Sequence, residues 1–150
     1  MSTDYFLFFR SDGPHEPIIE SLAQVEGVEF DGDLRIRGLL DVQVMPMDAE
    51  SREIMRTDFG EYGIDVDWCI RGTLDDEVDD VDDLYVRLHR CAAVFVNARP
   101  DLSMSLMWEA TDFWVHNTKE RLLLSILSKK AVPSVETMFE KAFVFTAMKY

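Results

Sequence analysis

Cysteine, histidine and glycine are all sparse in this 150-residue chain, and each scarcity removes a class of chemistry. The two cysteines, Cys69 and Cys91, do not have the spacing of a redox or zinc pair. Both fall inside predicted regular elements and are expected as small buried hydrophobes. The three histidines, His15, His89 and His116, fall on a predicted loop, helix and strand, and none has a partner at metal-ligand spacing. The seven glycines form no phosphate-cradling loop, and Ser, His and Asp occur in no recognisable nucleophile motif. The expectation is a chain that is not an enzyme, with no catalytic residue, no metal and no cofactor. Long apolar runs are missing too. The first one, residues 5–9, is too short for a signal peptide or a membrane span and follows no basic segment, so a cytoplasmic protein is expected.

Positive charge is the other shortage. Fifteen Lys and Arg face 29 Asp and Glu, a net charge of −14, which argues against direct contact with a nucleic acid backbone or an anionic membrane surface. Partners should be cationic, neutral or apolar. The imbalance is uneven: residues 1–116 hold 26 acids against 9 bases, whereas residues 117–150 hold 3 against 6. A basic C-terminal segment can pack on acidic neighbours of the same fold, and that needs no second chain.

With 47% hydrophobic residues the chain is long enough for one sizeable core, and residues 1–150 read as one domain. Residues 5–9 (YFLFF) are closed by Ser11, Asp12, Gly13 and Pro14, which suits a central strand covered on both faces. Ile18, Ile19, Leu22 and Val25 repeat at helical spacing, predicting a helix over 15–26 with Pro17 in its first turn. Alternation then places strand at 34–36 and 40–44, either one bent strand or two broken at Gly38. Residues 48–57 are compatible with a short helix, and residues 64–70 alternate as a further strand. Asp65 and Asp67 share one face of that strand; an outward, solvated position outweighs a paired-carboxylate site. Residues 93–97 read as strand, and residues 103–108 and 113–116 as an antiparallel meander; with Trp108 facing the core alongside Met104 and Leu106, the side of Trp114 stays undecided. Residues 122–127 lean to strand. Ser134 then caps a helix through Val135, Met138, Phe139 and Ala142, and residues 143–145 either continue it or close the sheet. The sum is an α+β fold, a mainly antiparallel curved sheet with two to four helices packed on one face.

The densest feature lies at residues 74–98. Leu74, Val78, Val81, Leu84, Tyr85, Leu88, Cys91 and Ala92 recur three and four apart, predicting one amphipathic helix capped by Thr73 with Asp76 at its third position. Residues 75–83 hold seven acids and no base. A helix start uses two or three acids; the remainder is close repulsion that folding alone does not ask for. Asp75, Asp76, Asp79, Asp80, Asp82 and Asp83 are therefore the candidate partner-binding residues, with Glu77 nearer the buried side. An EF-hand reading fails, because the run lacks the Gly and Glu that such a loop requires.

Around this helix, residues 59–63 (Phe59, Gly60, Glu61, Tyr62, Gly63), 64–71, 92–98, 106–109 and 113–117 together resemble the swarming-inhibition (Sit-type) immunity proteins of bacteria. The resemblance spans about residues 58–117 and implies a small cytosolic protein that binds and neutralises a cognate protein toxin; the acidic run, for its part, suits a toxin with a basic surface. A second reading of the same charge is an acidic mimic of nucleic acid, or another protein-interaction module. A third is a small enzyme or ligand-binding domain, which a deep pocket with converging polar groups would favour.

Overall fold

The computed structural model describes residues 3–109 and 112–147. At its centre is β1 (Asp4–Phe9), paired antiparallel with β5 (Trp68–Leu74) on one side and β6 (Met104–Trp108) on the other. Being central explains its unbroken apolar run. Tyr5, Leu7 and Phe9 enter a large core on one face, while Phe8, with Phe6 against it, enters a smaller core on the other. Outward from this centre lie β4 (Leu39–Pro46) beyond β5, and β7 (Asp112–Asn117), β8 (Leu122–Ser125) and β9 (Phe143–Thr146) beyond β6. The seven strands run in the order β4-β5-β1-β6-β7-β8-β9. Every pair is antiparallel except β8 with β9, and that pair needs a crossover. α4 (Ile126–Ala131) and a 3₁₀ turn at Val135–Thr137 supply it. A separate hairpin, β2 (Val28–Phe30) with β3 (Leu34–Ile36), precedes β4.

The α+β fold with a mostly antiparallel sheet matches the sequence expectation, and four α-helices lie among the described residues. α1 (Glu16–Leu22), α3 (Val81–Ala98) and α4 adjoin the large core; α2 (Ala49–Thr57) instead caps the opposite face, where Met55 joins Phe8, Ile64, Val66 and Met107. α2 buries only Met55, a narrow stripe that covers the second face in part.

Several elements differ from their expected bounds for identifiable reasons. α3 begins at Val81, not after Thr73. β5 continues through Gly72 and Thr73 because Thr73 Oγ1 donates to Asp4 Oδ1 at 2.7 Å, and Leu39 lies 2.7 Å from where a Gly72 side chain would begin. Helix over 75–80 would also stack aspartates three and four apart, whereas Asp is a weak helix former and a strong cap. The other end of α3 runs on through residues 93–97, which were expected as strand. Ala92, Phe95 and Val96 prolong its buried stripe, and packing overrides their β-branched preference. α1 is shorter than 15–26, since residues 23–25 close in 3₁₀-type bonds to residues 20–22. The helix expected after Ser134 shrinks to the 3₁₀ turn: Asn97 donates to Met138 O at 2.9 Å and accepts from Glu140 N at 3.0 Å, drawing the chain off a helical path. Residues 64–67 stay outside the sheet ladder, and Gly38, at φ 101°, separates β3 from β4.

Trp114, whose side the sequence leaves open, is buried, and Trp108, expected inward, is not. A register shift between Leu106 and Met107 opposite β7 lets Trp114 and Val115 both face the large core. Trp114 is 4% exposed and Trp108 is 39% exposed.

Candidate protein-binding surface

The acidic stretch does not form one face of a helix. It is a turn, residues 75–80, followed by the first turn of α3, and it joins the end of β5 to the helix that covers the large core. Val78 N donates to Asp75 O and Asp75 N to Gly38 O, both at 3.0 Å, which ties the turn to the start of β4. Three of the six candidate aspartates have local work. Asp75 accepts from Glu77 N at 3.0 Å, and Asp80 caps α3 by accepting from Asp83 N at 3.2 Å. Asp83 is ion-paired with Arg87 and, at 3.5 Å, with Arg37. The Arg87 guanidinium holds the Asp83 carboxyl below the usual carboxylate range, with Arg37 adding to it.

Asp76, Asp79 and Asp82 are exposed, and among the described residues they enter no ion pair. Glu77, expected nearer the buried side, is exposed as well, because the helical wheel that would have turned it inward does not exist at that position. The six predicted residues are thus brought together on one continuous segment, but with divided roles.

Arg87 is the residue that sequence reasoning missed. In the sequence it stands only as a base following the acidic run, yet its side chain is only 4% exposed. Its guanidinium donates from Nε to Glu26 O at 3.0 Å, from Nη1 to Arg37 O at 2.7 Å, and from Nη2 to Asp83. Those carbonyls flank the two ends of the β2–β3 hairpin. Arg87 thereby pins the hairpin to α3 and fixes the root of the acidic segment. The only signal in the sequence was its spacing of four from Asp83.

The histidines are placed for structure. His89 is fully buried between Tyr85 O, 2.7 Å from Nδ1, and Ser128 Oγ, 2.9 Å from Nε2, and it stacks on Trp114. Ser128 Oγ also donates to Trp114 O at 2.8 Å. This serine–histidine contact is sealed in the core. His116 is 5% exposed with Nδ1 3.2 Å from Ser105 Oγ, and His15 stacks on Trp68 at 3.7 Å. Burial pushes both Cys69 and Cys91 thiols up to about 12, far from a reactive thiolate. Asp65 is held by Arg10 and Arg52 at 3.2 and 3.3 Å, while Asp67 accepts from Ser11 N and Oγ at 2.9 and 3.2 Å; the pair serves two separate contacts. Among the described residues no group of three or more His, Cys, Asp and Glu is set to hold a metal ion, and no helix is long and apolar enough to cross a membrane.

No family model, no curated protein and no solved structure matches this chain.

Proposed function

We propose that this protein is an immunity protein that acts in the cytoplasm by binding a cationic protein toxin and blocking it. The observation that carries the reading is the exposed turn at 76–82, where Asp76, Glu77, Asp79 and Asp82 are displayed on a segment rooted by Arg87. A rigidly rooted anionic loop speeds encounter with a basic surface and pays little entropy on docking. Nucleases and other enzymes that grip phosphate present such basic clefts, and an acidic loop fits them. The burial of His89 and His116 supports binding over acid–base catalysis, since neither imidazole is open to a substrate.

The test is co-expression with the toxin encoded beside the gene, followed by stopped-flow association of the purified pair. Asp76→Lys with Asp79→Lys, both exposed and outside α3, is expected to slow association roughly tenfold at low salt while leaving the melting temperature unchanged, and the native rate should fall as salt shortens the Debye length to about 8 Å. An association rate that ignores both the substitutions and the salt removes the acidic turn from the interface. Asp83→Lys should behave differently. It breaks the contact with Arg87, so it is expected to lower the melting temperature as well as the rate, which makes it unsuitable as a pure charge probe.

A further inference from the structure

A large cleft lies away from the acidic turn, between the β2–β3 hairpin and β4. It has a volume of about 590 Å³, within the range of ligand sites. One wall is residues 42–45 of β4. The other is the hairpin, with Phe30, Asp33 and Leu34, and Glu16 and Ile19 of α1 close its end.

Two features make this cleft a strand-shaped slot. β4 is the terminal strand of its sheet and pairs with β5 alone among the described residues, so by the ladder rule alternate backbone groups of β4 point away from β5. The hairpin does not take them up, because β2 and β3 form a sheet of their own. The slot is also bounded. A register shift between Leu40 and Gln43, with Asp41 at φ 52°, interrupts β4 at one end, and Pro46, which lacks an N–H, stops it at the other. Such devices keep an edge from templating an open-ended ladder; here they leave a segment about four residues long between them.

The charge selects the occupant. Glu16 and Asp33 line the cleft together with His15, whose Nδ1 lies 3.5 Å from Glu16 Oε2, and no Lys or Arg lines it. Phe30, Val42 and Val44, each only partly buried, supply the apolar surface of the same cleft.

We propose that this cleft binds an extended, basic peptide segment that adds a short strand to β4, its Lys or Arg side chains facing Glu16 and Asp33 and an alternate apolar side chain lodged against Phe30, Val42 and Val44. Main-chain bonds to the edge hold the segment, and side-chain alternation selects it. The site goes beyond the acidic turn and stands without it, since the cleft shares no residue with positions 75–83.

The probe is an acetylated, amidated lysine–valine alternating heptapeptide, titrated into the isotopically labelled full chain and followed by backbone amide shifts. Shifts confined to residues 15–19, 30–34 and 42–45 are expected. A version N-methylated at alternate positions should bind roughly tenfold more weakly, because it cannot complete the main-chain bonds. Glu16→Lys with Asp33→Lys, both exposed, should weaken the parent peptide by a similar factor with the fold intact by its amide spectrum. A glutamate–valine peptide should not bind. Shifts confined to residues 75–83 and indifferent to N-methylation would overturn the proposal and leave the acidic turn as the basic-ligand surface; no shifts at all would overturn it too. Neither result bears on whether a toxin is neutralised, which the co-expression assay decides separately.

Discussion

Replacing Arg87 with alanine is expected to lower the unfolding free energy by roughly 3 kcal/mol, the loss of two hydrogen bonds from a charged donor at about 1.5 kcal/mol or more each. The guanidinium satisfies two backbone carbonyls and a carboxylate at once, and alanine leaves Glu26 O and Arg37 O facing the space it vacates. Lysine is no substitute. Its single ammonium lacks the fork that reaches two carbonyls and Asp83 together, so Arg87→Lys should lose most of the same stability. The contact has a second side that makes the prediction sharper. Gly27 has φ +86°, and a β-carbon there would overlap Arg87 Nε, which its hydrogen bonds hold in place. Gly27→Ala in the native background should therefore be severely destabilising. In the Arg87→Ala background the clash is gone and only the left-handed backbone cost of about 1 kcal/mol remains. The two substitutions should couple strongly, the double variant being far more stable than the sum of the singles implies. Urea unfolding of the four species measures this directly, and additive free energies would show that Arg87 does not clamp the hairpin.

What could be read in the chain and what could not divide along one physical line. Patterns set by a single element's burial were legible. The run at residues 5–9 is apolar throughout because β1 is central, and the stripe from Leu84 to Ala92 is periodic because α3 lies on the sheet. Features decided by contacts between distant elements were not. Thr73 looks like a helix cap until Asp4, from the other end of the chain, takes it into the ladder. Residues 93–97 look like strand until the core beneath α3 is present to bury Phe95 and Val96. Trp114 joins Val115 on the large core because one register shift turns it to that face, and no periodicity argument registers a bulge; Trp108, opposite Tyr5 at the strand end, keeps its face but is left uncovered.

The candidate surface shows the same division. Charge density marked the segment, since seven acids without a base stand out in any window. Its shape was invisible, because the repulsion that marked it is also what keeps residues 75–80 out of the helix. The consequence for function is that Asp75, Asp80 and Asp83 are partly committed to the turn, the cap and Arg87, so the charge open to a partner rests on Asp76, Glu77, Asp79 and Asp82.

Acidification from pH 7 to pH 5 is expected to destabilise the fold well before its carboxylates titrate, and the cause is the two buried histidines. Burial lowers His89 from 6.5 to about 4, against a smaller opposing effect of the Tyr85 carbonyl; burial, with Arg121 adding to it, lowers His116 from 6.5 to about 4. A base whose folded value is depressed binds fewer protons in the native state than in the unfolded chain between those two values. Its contribution is therefore complete above pH 6.5 and is withdrawn as pH falls from 6.5 toward 4. For a shift of this size the loss at pH 5 is about 2 kcal/mol per histidine, or roughly 4 kcal/mol together, which corresponds to a fall in melting temperature of roughly 8–16 °C. The surroundings of the two rings offer little to a new charge. Around His89 stand Tyr85 O, Ser128 Oγ and the Trp114 ring; around His116 stand Ser105 Oγ, Phe113 and Tyr62. None is a carboxylate. His116→Phe, which keeps the stacking on Phe113, should roughly halve the loss between pH 7 and pH 5 whatever it does to stability at pH 7. Thermal melts of the native protein and this variant across that range make the comparison, and a native melting temperature that stays level from pH 7 to pH 5 would mean that both imidazoles accept protons without leaving the folded core.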